Sequence, residues 1–501
     1  MERDSLSSNN TNKQSLTPGD LTWDRFIYPR GTKSQKTIDG YIEAIAIGAQ
    51  FPPVKIQKVF NYPDADGGQT TEATLIIDGI HRWSAFKEKG IKEILAIEFK
   101  NQPIDYQENK TALLLESAKC NTSHGDRLSP NDKKRIARDI ASSDPECRYT
   151  ESSLAEKLGV SQQTVNAWIT DIRTRQRTNR ASIIIRLSRL GWTQEKIAET
   201  TKMTQGRVAQ IINNTSFGKI NNLLAQGRDM EYIASHYNME LALAWALRLE
   251  GKTDQEKFKE LEWGLRTWDQ WNFNECDERF GDDWPGRIPA QLVAHTLFYF
   301  TKPGDLVLDP MAGGGVVPDV CLAFERKCHA FDLAPSDSRP EIEYHHWDPQ
   351  KGTWPVTKKP DLIFFDPPYY TKKAKEYEEK ANANTPSISS YTKEDYERFF
   401  KNFFTLAHKN VKPATTLAFL NADWRDFEST PALEVKSCKS ITIFDYHRLL
   451  SETGWEIIHR IECPLSSERL TGNMVQNMQD KRILGTIGRT LLIAKKVLTQ
   501  T

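Results

Sequence analysis

The sequence predicts a multidomain α/β protein in which a mixed α/β domain, an all-helical region and a doubly wound α/β domain follow one another. Three observations lead to this prediction. The chain has 501 residues, which is too many for a single hydrophobic core. Residues 150 to 250 show only short helical patterns, whereas strand and helix patterns alternate from about residue 263 onward. Strand patterns also occur before residue 100.

The predicted boundaries follow these changes of pattern. We expect a polar, disordered lead-in over 1–20, the first α/β domain over 21–103 and the helical region over 104–251. A linker over 252–262 then leads to the C-terminal domain over 263–501. The chain is thus expected to form several hydrophobic cores.

Composition is ordinary for a soluble globular protein, with 27% charged and 38% hydrophobic residues. The net charge is zero, so any surface that binds nucleic acid must be local. The seven cysteines are scattered and no pair has the spacing of a zinc site, so we expect reduced thiols and no metal. No signal peptide and no membrane-spanning apolar stretch is found. We therefore expect a cytoplasmic protein.

Strand patterns over 54–60, 74–78 and 94–99 form the first α/β domain, together with a helix over 81–89 that Gly90 ends. A helical segment over 104–143 follows.

The segment Asp78–Gly90 places a glycine and an arginine at the start of this helix, where backbone amides and a positive charge can bind an anion. It resembles the glycine–arginine box of ParB-type partition proteins and their sulfiredoxin-like relatives, and Asn121–Arg135 resembles the next box of that family. The resemblance implies a ParB/sulfiredoxin-like domain that binds DNA and, at Gly79, His81 and Arg82, a nucleotide triphosphate. Because His81-Arg82 stands where the family has paired arginines, a structural loop without an anion remains the alternative.

The helical region contains three copies of one spacing. The pattern is a small residue, a turn residue and two apolar residues, as two helices that cross at a tight turn require. The copies are Ala155, Gly159, Val165 and Trp168; Ala198, Lys202, Val208 and Ile211; and Ala234, Asn238, Ala244 and Leu247. The spacing predicts an array of helix-turn-helix motifs, although the second copy lacks the turn glycine and the third has few polar residues on its second helix.

A local excess of positive charge lies in the same region. Residues 172–219 contain ten Lys and Arg residues against two acids. Phosphate contacts are the natural use of such a surface, and a solvated basic face is the alternative. The second helices would present short polar and amide side chains that can read base edges. We predict DNA contacts by Ser161, Gln162, Gln163, Thr164, Asn166, Arg173, Arg175, Thr204, Gln205 and Arg207.

A glycine-rich turn opens the first βαβ unit of the C-terminal domain. Asp305–Gly315 is a strand that runs into three glycines, and a helix over 317–324 follows. Glycines let the backbone approach a ligand closely, as in dinucleotide-binding turns. The next strand, 328–331, ends at Asp332, where doubly wound folds place an acid that binds ribose hydroxyls. Asp348 follows a third strand.

The fourth strand of this domain ends in the tetrad Asp366-Pro-Pro-Tyr369. Asp366 can accept a hydrogen bond from an exocyclic amine, the two prolines fix the turn, and Tyr369 offers a ring on which a flipped base can stack. Alone, the tetrad is also ordinary turn chemistry after a strand. Its position after the glycine turn and Asp332 favours catalysis.

In this order the motifs resemble the DNA amino-methyltransferases that use S-adenosylmethionine, over about residues 263–496. The resemblance implies a Rossmann-like methyltransferase domain whose catalytic turn is Asp366, Pro367, Pro368 and Tyr369. It also implies that the segment 285–293 is the cofactor-side motif before the glycine turn. The implied cofactor residues are Asp309, Pro310, Met311, Ala312, Gly313, Gly315, Asp332 and Asp348.

Two features depart from that family's pattern. Met311 and Gly314 stand where the family has an aromatic residue and a serine, a change that affects cofactor affinity. Only about 50 residues separate the glycine turn from the catalytic turn, which leaves no room there for a large target-recognition domain. Thr371–Ser390 is polar, and we expect a mobile loop beside the site. Recognition of sequence is therefore expected to fall to the helix-turn-helix array.

The remaining elements complete the predicted sheet. We expect helices over 391–408 and 444–453, strands over 416–421 and 455–463, and a last antiparallel strand over 490–495.

The motifs together predict an enzyme that transfers a methyl group from S-adenosylmethionine to the exocyclic amine of a flipped base in double-stranded DNA. The amine is itself the nucleophile, so catalysis is mostly positioning and electrostatics. Asp366 favours adenine, and cytosine remains open. One alternative is a ParB-like regulator or partition factor whose methyltransferase domain senses the cofactor. Another is an RNA methyltransferase, which the helix-turn-helix motifs disfavour because a recognition helix fits the major groove of DNA. No membrane partner is expected, and a dimer remains open.

Overall fold

The computed structural model describes residues 13–63, 70–123, 128–144, 147–214, 219–273, 275–345, 347, 353–370, 387–425, 431, 434, 440–464 and 471–496. Contacts between Cα atoms divide the chain into two units, Met1–Arg177 and Thr178–Thr501. The division falls inside the long helix Gln162–Arg189. Among the described residues, no helix is long and apolar enough to cross a membrane.

The N-terminal unit is built on a five-stranded mixed sheet. Its strands are β1 (Lys13–Leu16), β2 (Val54–Pro63), β3 (Thr70–Asp78), β4 (Ile94–Glu98) and β5 (Ile104–Asp105). The order is β1-β4-β2-β3, with β5 beside β2.

The three predicted strands of this sheet are confirmed, since 54–60, 74–78 and 94–99 fall within β2, β3 and β4 to within one residue. The disordered lead-in predicted over 1–20 is wrong for residues 13–20, because β1 pairs antiparallel with β4 and the 3-10 helix Pro18–Asp20 follows it.

Helices surround this sheet and continue into the first helix-turn-helix. The helices of the N-terminal unit are Gln35–Ala46, Ile80–Glu88, Tyr106–Ser123, Pro130–Ser143, Glu151–Leu158 and the first part of Gln162–Arg189. Gly159 ends Glu151–Leu158 in the left-handed conformation, with φ of 60°. Leu154, Leu158 and Val165 pack in the core between the two helices, as the predicted spacing requires.

Six helices open the C-terminal unit after Arg189. They are Gln194–Thr200, Gln205–Asn214, Lys219–Ala225, Met230–Tyr237, Leu241–Leu249 and Asp254–Glu260. The turn residues of the second and third repeats, Lys202 and Asn238, are also left-handed, with φ of 52° and 46°. All three repeats therefore fold as predicted, although only the first has a glycine at the turn.

The third repeat differs from the first two in what its second helix contacts. Leu241–Leu249 buries five of its side chains and packs against the helix Val316–Ala323 that follows the glycine turn. Both helices belong to one hydrophobic core. The third repeat is therefore part of the packing of the C-terminal domain, and this face of its second helix is not available to DNA.

The C-terminal unit is built on a seven-stranded sheet. The strands of this unit are β6 (Leu306–Asp309), β7 (Lys327–Asp332), β8 (Ile342–Tyr344), β9 (Leu362–Phe365), β10 (Thr416–Ala422), β11 (Trp424–Arg425), β12 (Ser440–Ile441), β13 (Trp455–Glu462) and β14 (Arg489–Lys496). The sheet order is β13-β14-β10-β9-β6-β7-β8, and β11 pairs with β12 separately. Its helices are Ala290–Phe300, Val316–Ala323, Lys393–Asn410, Ile443–Glu452 and Gly472–Asp480, with a 3-10 helix at Ile388–Ser390.

This order confirms the predicted Rossmann-like methyltransferase fold. β6, β7, β8, β9 and β10 are parallel, and β14 runs antiparallel between β10 and β13. β6 and β9 are buried along their whole length, because helices cover both faces of the sheet. β7 and β8 follow β6 on one side of the sheet, whereas β9 and β10 lie on its other side. The strand order therefore reverses between β6 and β9, and a crevice opens at the carboxyl ends of these two strands.

Candidate active site

The crevice contains a pocket of about 150 Å³ that brings together most of the predicted cofactor and catalytic residues. The glycine turn from Asp309 to Gly314, Asp332, and Asp366 and Pro368 of the catalytic turn line it, although they come from three different strands. Gly315, Pro367 and Tyr369 are not among the lining residues. The segment 284–288 lines it as well, and residues 285–288 belong to the segment predicted to be the cofactor-side motif. Asp348 and most of the predicted loop, residues 371–386, lie outside the described residues.

The glycine turn is held by hydrogen bonds to its own neighbours. Asp309 is buried and accepts a hydrogen bond from the amide of Met311 at 3.2 Å, and burial raises the pKa of Asp309 well above its ordinary value. The carbonyl of Pro310 accepts a hydrogen bond from the indole of Trp347 at 2.6 Å. The amide of Gly313 donates to the carboxylate of Asp332 at 2.8 Å.

Asp332 stands at the end of β7 with both carboxylate oxygens fixed by the backbone. One oxygen accepts the Gly313 amide, and the other accepts the Ala334 amide at 2.9 Å. Burial raises the pKa of Asp332, and hydrogen bonds from the backbone of Ala334, Gly313 and Leu333 act in the opposite direction. Each carboxylate oxygen has a second lone pair, so Asp332 keeps the capacity to accept from two hydroxyls.

Gly314 and Met311, the two residues by which the glycine turn departs from the family pattern, have different surroundings. At Gly314, a Cβ would lie 2.8 Å from the carbonyl oxygen of Asp282 and 2.8 Å from the Cβ of Trp284. The amide of Asp282 also donates to the Gly314 carbonyl at 2.8 Å. The segment before the motif therefore packs directly on the turn, and a serine would not fit at Gly314. Met311 lines the pocket and packs against the neighbouring core.

A buried cluster of charges supports the turn from behind. Arg186, from the long helix, forms ion pairs with Asp319, Glu341 and Glu240. Arg339 donates to Asp319 at 3.0 Å and to the carbonyl of Gly315 at 2.8 Å. Burial lowers the pKa of Arg186, but the surrounding carboxylates together raise it by more. The guanidinium therefore stays charged. The long helix, the third repeat and the glycine turn are thus joined by one ion network.

The catalytic turn presents Asp366 to the pocket, directly after β9. The hydroxyl of Tyr369 donates a hydrogen bond to Asp366 Oδ1 at 2.8 Å, and the hydroxyl of Tyr396 donates to the carbonyl of Pro368 at 3.1 Å. Burial raises the pKa of Asp366 to about 6, while the charge of Arg489 and the Tyr369 hydrogen bond lower it. Pro367 is buried. The turn is therefore rigid, and its carboxylate is ionised at neutral pH.

Arg489 is a functional candidate that the sequence interpretation missed. It is 5% exposed, begins β14, and donates from Nε to the carbonyl of Cys463 at 3.0 Å. Its guanidinium interacts with both Asp366 and Tyr369. A strand-starting arginine that follows a glycine carries no local signal of this role. Only the antiparallel placement of β14 beside β10 brings it to the carboxyl end of β9.

The predicted DNA-contact residues fall into two groups. Nine of them lie at the surface of the second helices of the first two repeats: Ser161, Gln162, Gln163, Thr164, Asn166, Arg175, Thr204, Gln205 and Arg207. Ser161 and Thr204 also cap their helices, by accepting from the amides of Thr164 and Arg207.

The prediction for the tenth residue, Arg173, was wrong. Arg173 is 4% exposed and donates to the carbonyls of Asp144 and Tyr149 at 3.0 and 2.6 Å. Arg186 in the same basic stretch is also buried, and Lys196 pairs with Glu343 at 2.6 Å. Part of the positive charge therefore serves packing within the protein, and the basic surface is smaller than the residue count indicates.

The predicted anion site of the N-terminal unit borders a cavity of about 900 Å³. Gly79 is left-handed, with φ of 92°, and begins the helix that carries His81 and Arg82. Arg82 donates to the carbonyl of Pro52 at 2.6 Å and to Asp78 at 3.1 Å. His81 Nε2 accepts from the amide of Ser34 at 3.1 Å. The three predicted residues are together, and two of them have partners within the protein.

No family model matches the chain, and no curated protein matches it either. Among solved structures it is similar to TrmN from Thermus thermophilus, with 15% identity, a TM-score of 0.23 and coverage of 42% of this chain. The match spans about half of that protein, 48% of its chain. It is also similar to a putative sarcosine dimethylglycine methyltransferase from Galdieria sulphuraria, with 14% identity, a TM-score of 0.27 and coverage of 41% of this chain and 84% of that one.

A third similarity is to the C-terminally truncated chromosome-partitioning protein ParB from Caulobacter crescentus complexed to the centromeric parS site. Identity is 14%, the TM-score is 0.21, and the match covers 45% of this chain and 98% of that one. All three TM-scores lie below 0.5.

Proposed function

We propose that the protein transfers a methyl group from S-adenosylmethionine to the exocyclic amine of a flipped base in double-stranded DNA, with adenine favoured over cytosine. The observation that carries this proposal is the meeting of Asp366, Asp332 and the glycine turn in one pocket. A carboxylate at a proline-fixed turn, next to a ribose-binding acid, is the arrangement that amine methylation needs.

The residues of the pocket fit the proposed cofactor. We place the ribose hydroxyls at Asp332 and the rest of the cofactor along the backbone of Asp309–Gly314, which lines the pocket. Gly313 and Gly315 are left-handed, with φ of 50° and 81°, and a side chain at either would meet Trp284 or Arg339. Met311 and Trp347 supply apolar lining. When bound there, S-adenosylmethionine supplies an activated methyl group.

The catalytic turn supplies the acceptors for the amine. An ionised Asp366 accepts a hydrogen bond from the amine and keeps the nitrogen lone pair directed at the methyl group. The Pro367 carbonyl is proposed as the second acceptor, and the Tyr369 ring as the stacking surface. Because the Tyr369 hydroxyl occupies Asp366 Oδ1 in this structure, base binding requires Asp366 to use Oδ2 or Tyr369 to turn away.

DNA binding is proposed for the first two helix-turn-helix repeats, through the nine surface residues described above. Their second helices present amide and hydroxyl side chains, which suit base edges and phosphates. The third repeat is excluded from this role by the burial of its second helix.

A nucleotide triphosphate is proposed to bind at Gly79, His81 and Arg82. Binding there requires Arg82 to exchange its hydrogen bonds within the protein for contacts with phosphate.

The deciding experiment incubates the purified full chain with labelled S-adenosylmethionine and unmethylated genomic DNA, followed by mass spectrometry of the nucleosides. We expect a methylated adenine amino group, and a methylated cytosine amino group would change only the base. Asp366→Ala should abolish transfer while cofactor binding persists, and Glu456→Gln, on the exposed face of β13, serves as the matched control. Retained activity in Asp366→Ala would end this mechanism.

The same assay separates the alternatives. Methylation of RNA but not of DNA would replace the substrate. DNA bound specifically, with cofactor bound and no transfer to either nucleic acid, would favour the regulator.

A further inference from the structure

The connection between β13 and β14 is much longer than the sheet requires. β13 ends at Glu462, β14 begins at Arg489, and the two strands are antiparallel neighbours. Such neighbours are commonly joined by roughly two to five residues. The longer of its two described parts, 471–488, instead contains the helix Gly472–Asp480. Reversal of the chain direction alone does not account for a connection of this length.

Both ends of the connection lie beside the catalytic turn. Phe419 of β10 pairs with Phe365, the residue before Asp366, and three residues further along β10 Ala422 pairs with Arg489. The Arg489 side chain contacts the carbonyl of Cys463, at the other end of the connection. The connection therefore leaves and re-enters the sheet at the edge where a flipped base has to reach Asp366.

Few of the described residues pack against the helix Gly472–Asp480. None of its residues is buried, and Met474 is 48% exposed. A helix of this length is marginal in water unless one of its faces packs on something. Thr471 caps it, and its half-buried Met478 lies over Gly485 on the returning segment. These contacts hold the helix in place and leave the rest of its surface open.

The open surface carries the side chains that nucleic-acid recognition uses. Asn473 and Asn477 are exposed amides, and Lys481 and Arg482 follow directly at the end of the helix. Asp480 is the nearby acid, and it accepts a hydrogen bond from Gln476 at 2.8 Å. Amides pair with base edges, above all with adenine, and Lys and Arg contact phosphates.

We propose that the helix Gly472–Asp480 docks on the DNA next to the flipped base and contacts the flanking nucleotides. It acts as a recognition element on the catalytic domain itself, in addition to the helix-turn-helix repeats. The inference rests on the proposed function, because the position of the helix matters only if a base enters at Asp366.

Hydrogen exchange of the full chain tests whether DNA covers the helix. The amides of 472–480 should exchange rapidly without ligand and become protected when unmethylated duplex DNA and S-adenosylmethionine are added. Protection that needs RNA instead of DNA, protection that rises with protein concentration alone, or no protection would each overturn the proposal. The second of these outcomes would indicate that another copy of the chain covers the helix.

Methylation kinetics on the same DNA test whether the contact is used. The double variant Asn473→Ala/Asn477→Ala should raise KM for DNA about tenfold or more, with kcat and cofactor affinity little changed. Alanine favours helix, so the loss would not reflect unfolding of the segment. Gln255→Ala, an exposed amide on Asp254–Glu260, is the matched control. An unchanged KM in the double variant overturns the proposal, whereas a wild-type protein that methylates no DNA refutes the proposed function.

Discussion

The pH dependence of methyl transfer follows from the surroundings of Asp366. Its pKa is raised to about 6, mainly by burial, and the mechanism needs the ionised form because a carboxylate is a much stronger hydrogen-bond acceptor for the amine than a neutral carboxyl group. Activity should therefore fall as the pH drops through about 6. At about pH 5, only about a tenth of the carboxyl groups are ionised, so kcat/KM should be roughly a tenth of its plateau.

Arg489 sets where this fall occurs. Its positive charge lowers the pKa of Asp366, so the change Arg489→Met, which removes the charge and keeps much of the bulk, should move the acid limb to higher pH. Arg489→Lys keeps a charge and should move it less. A midpoint displaced by about one pH unit corresponds to about 1.4 kcal/mol of interaction with the carboxylate.

The assay is kcat/KM for DNA methylation measured between about pH 5 and 9, with the folded state of each variant checked by thermal unfolding. Arg460→Met, an exposed arginine on β13, is the matched control and should leave the profile unchanged. A wild-type profile that is flat through pH 6, or an identical midpoint in Arg489→Met, would refute the assignment of the acid limb to Asp366.

Three further predictions test other parts of the molecule. Gly314→Ser, which installs the family's residue, should weaken S-adenosylmethionine binding in calorimetry, because its Cβ would lie 2.8 Å from the Asp282 carbonyl; tighter binding would contradict this packing. Arg186→Met should lower the free energy of unfolding by about 3–5 kcal/mol, measured by denaturant titration, because it leaves the buried carboxylates of Asp319 and Glu341 with Arg339 as their one remaining arginine. Arg82→Ala should abolish binding of a labelled nucleotide triphosphate if the N-terminal cavity is a nucleotide site, and binding that persists would place the nucleotide elsewhere.

Local sequence patterns predicted the elements of this structure well because each pattern has a short-range physical cause. The predicted strands agree with β7, β10 and β14 to within one residue at each end, and β10 and β14 are apolar runs that are buried over most of their length. The helix-turn-helix spacing also held where the turn glycine was missing. Lys202 and Asn238 adopt the left-handed turn because the packing of the flanking helices outweighs its small cost.

The errors concern partners that are distant in sequence. Arg173 and Arg186 look like surface residues in a basic stretch, and only the fold supplies the carbonyls and carboxylates that bury them. Arg489 lies more than a hundred residues after Asp366, and no local pattern links the two. Burial of a charge depends on such long-range partners, so a pattern of neighbouring residues does not reveal it.

The difference between local sequence patterns and long-range contacts matters most at the N-terminal boundary of the catalytic domain. A change of pattern near residue 263 predicts a domain that begins there, yet Leu241–Leu249 packs on the helix after the glycine turn and Arg186 neutralises Asp319 behind it. A fragment of residues 263–501 would therefore expose the apolar face of Val316–Ala323 and leave Asp319 without one of its two arginines. We expect that fragment to aggregate, and a fragment of 178–501 to remain monodisperse and to bind S-adenosylmethionine. Size-exclusion chromatography and calorimetry of the two fragments decide the matter, and a well-folded fragment of 263–501 with full cofactor affinity would show that the helical repeats are dispensable to the catalytic core.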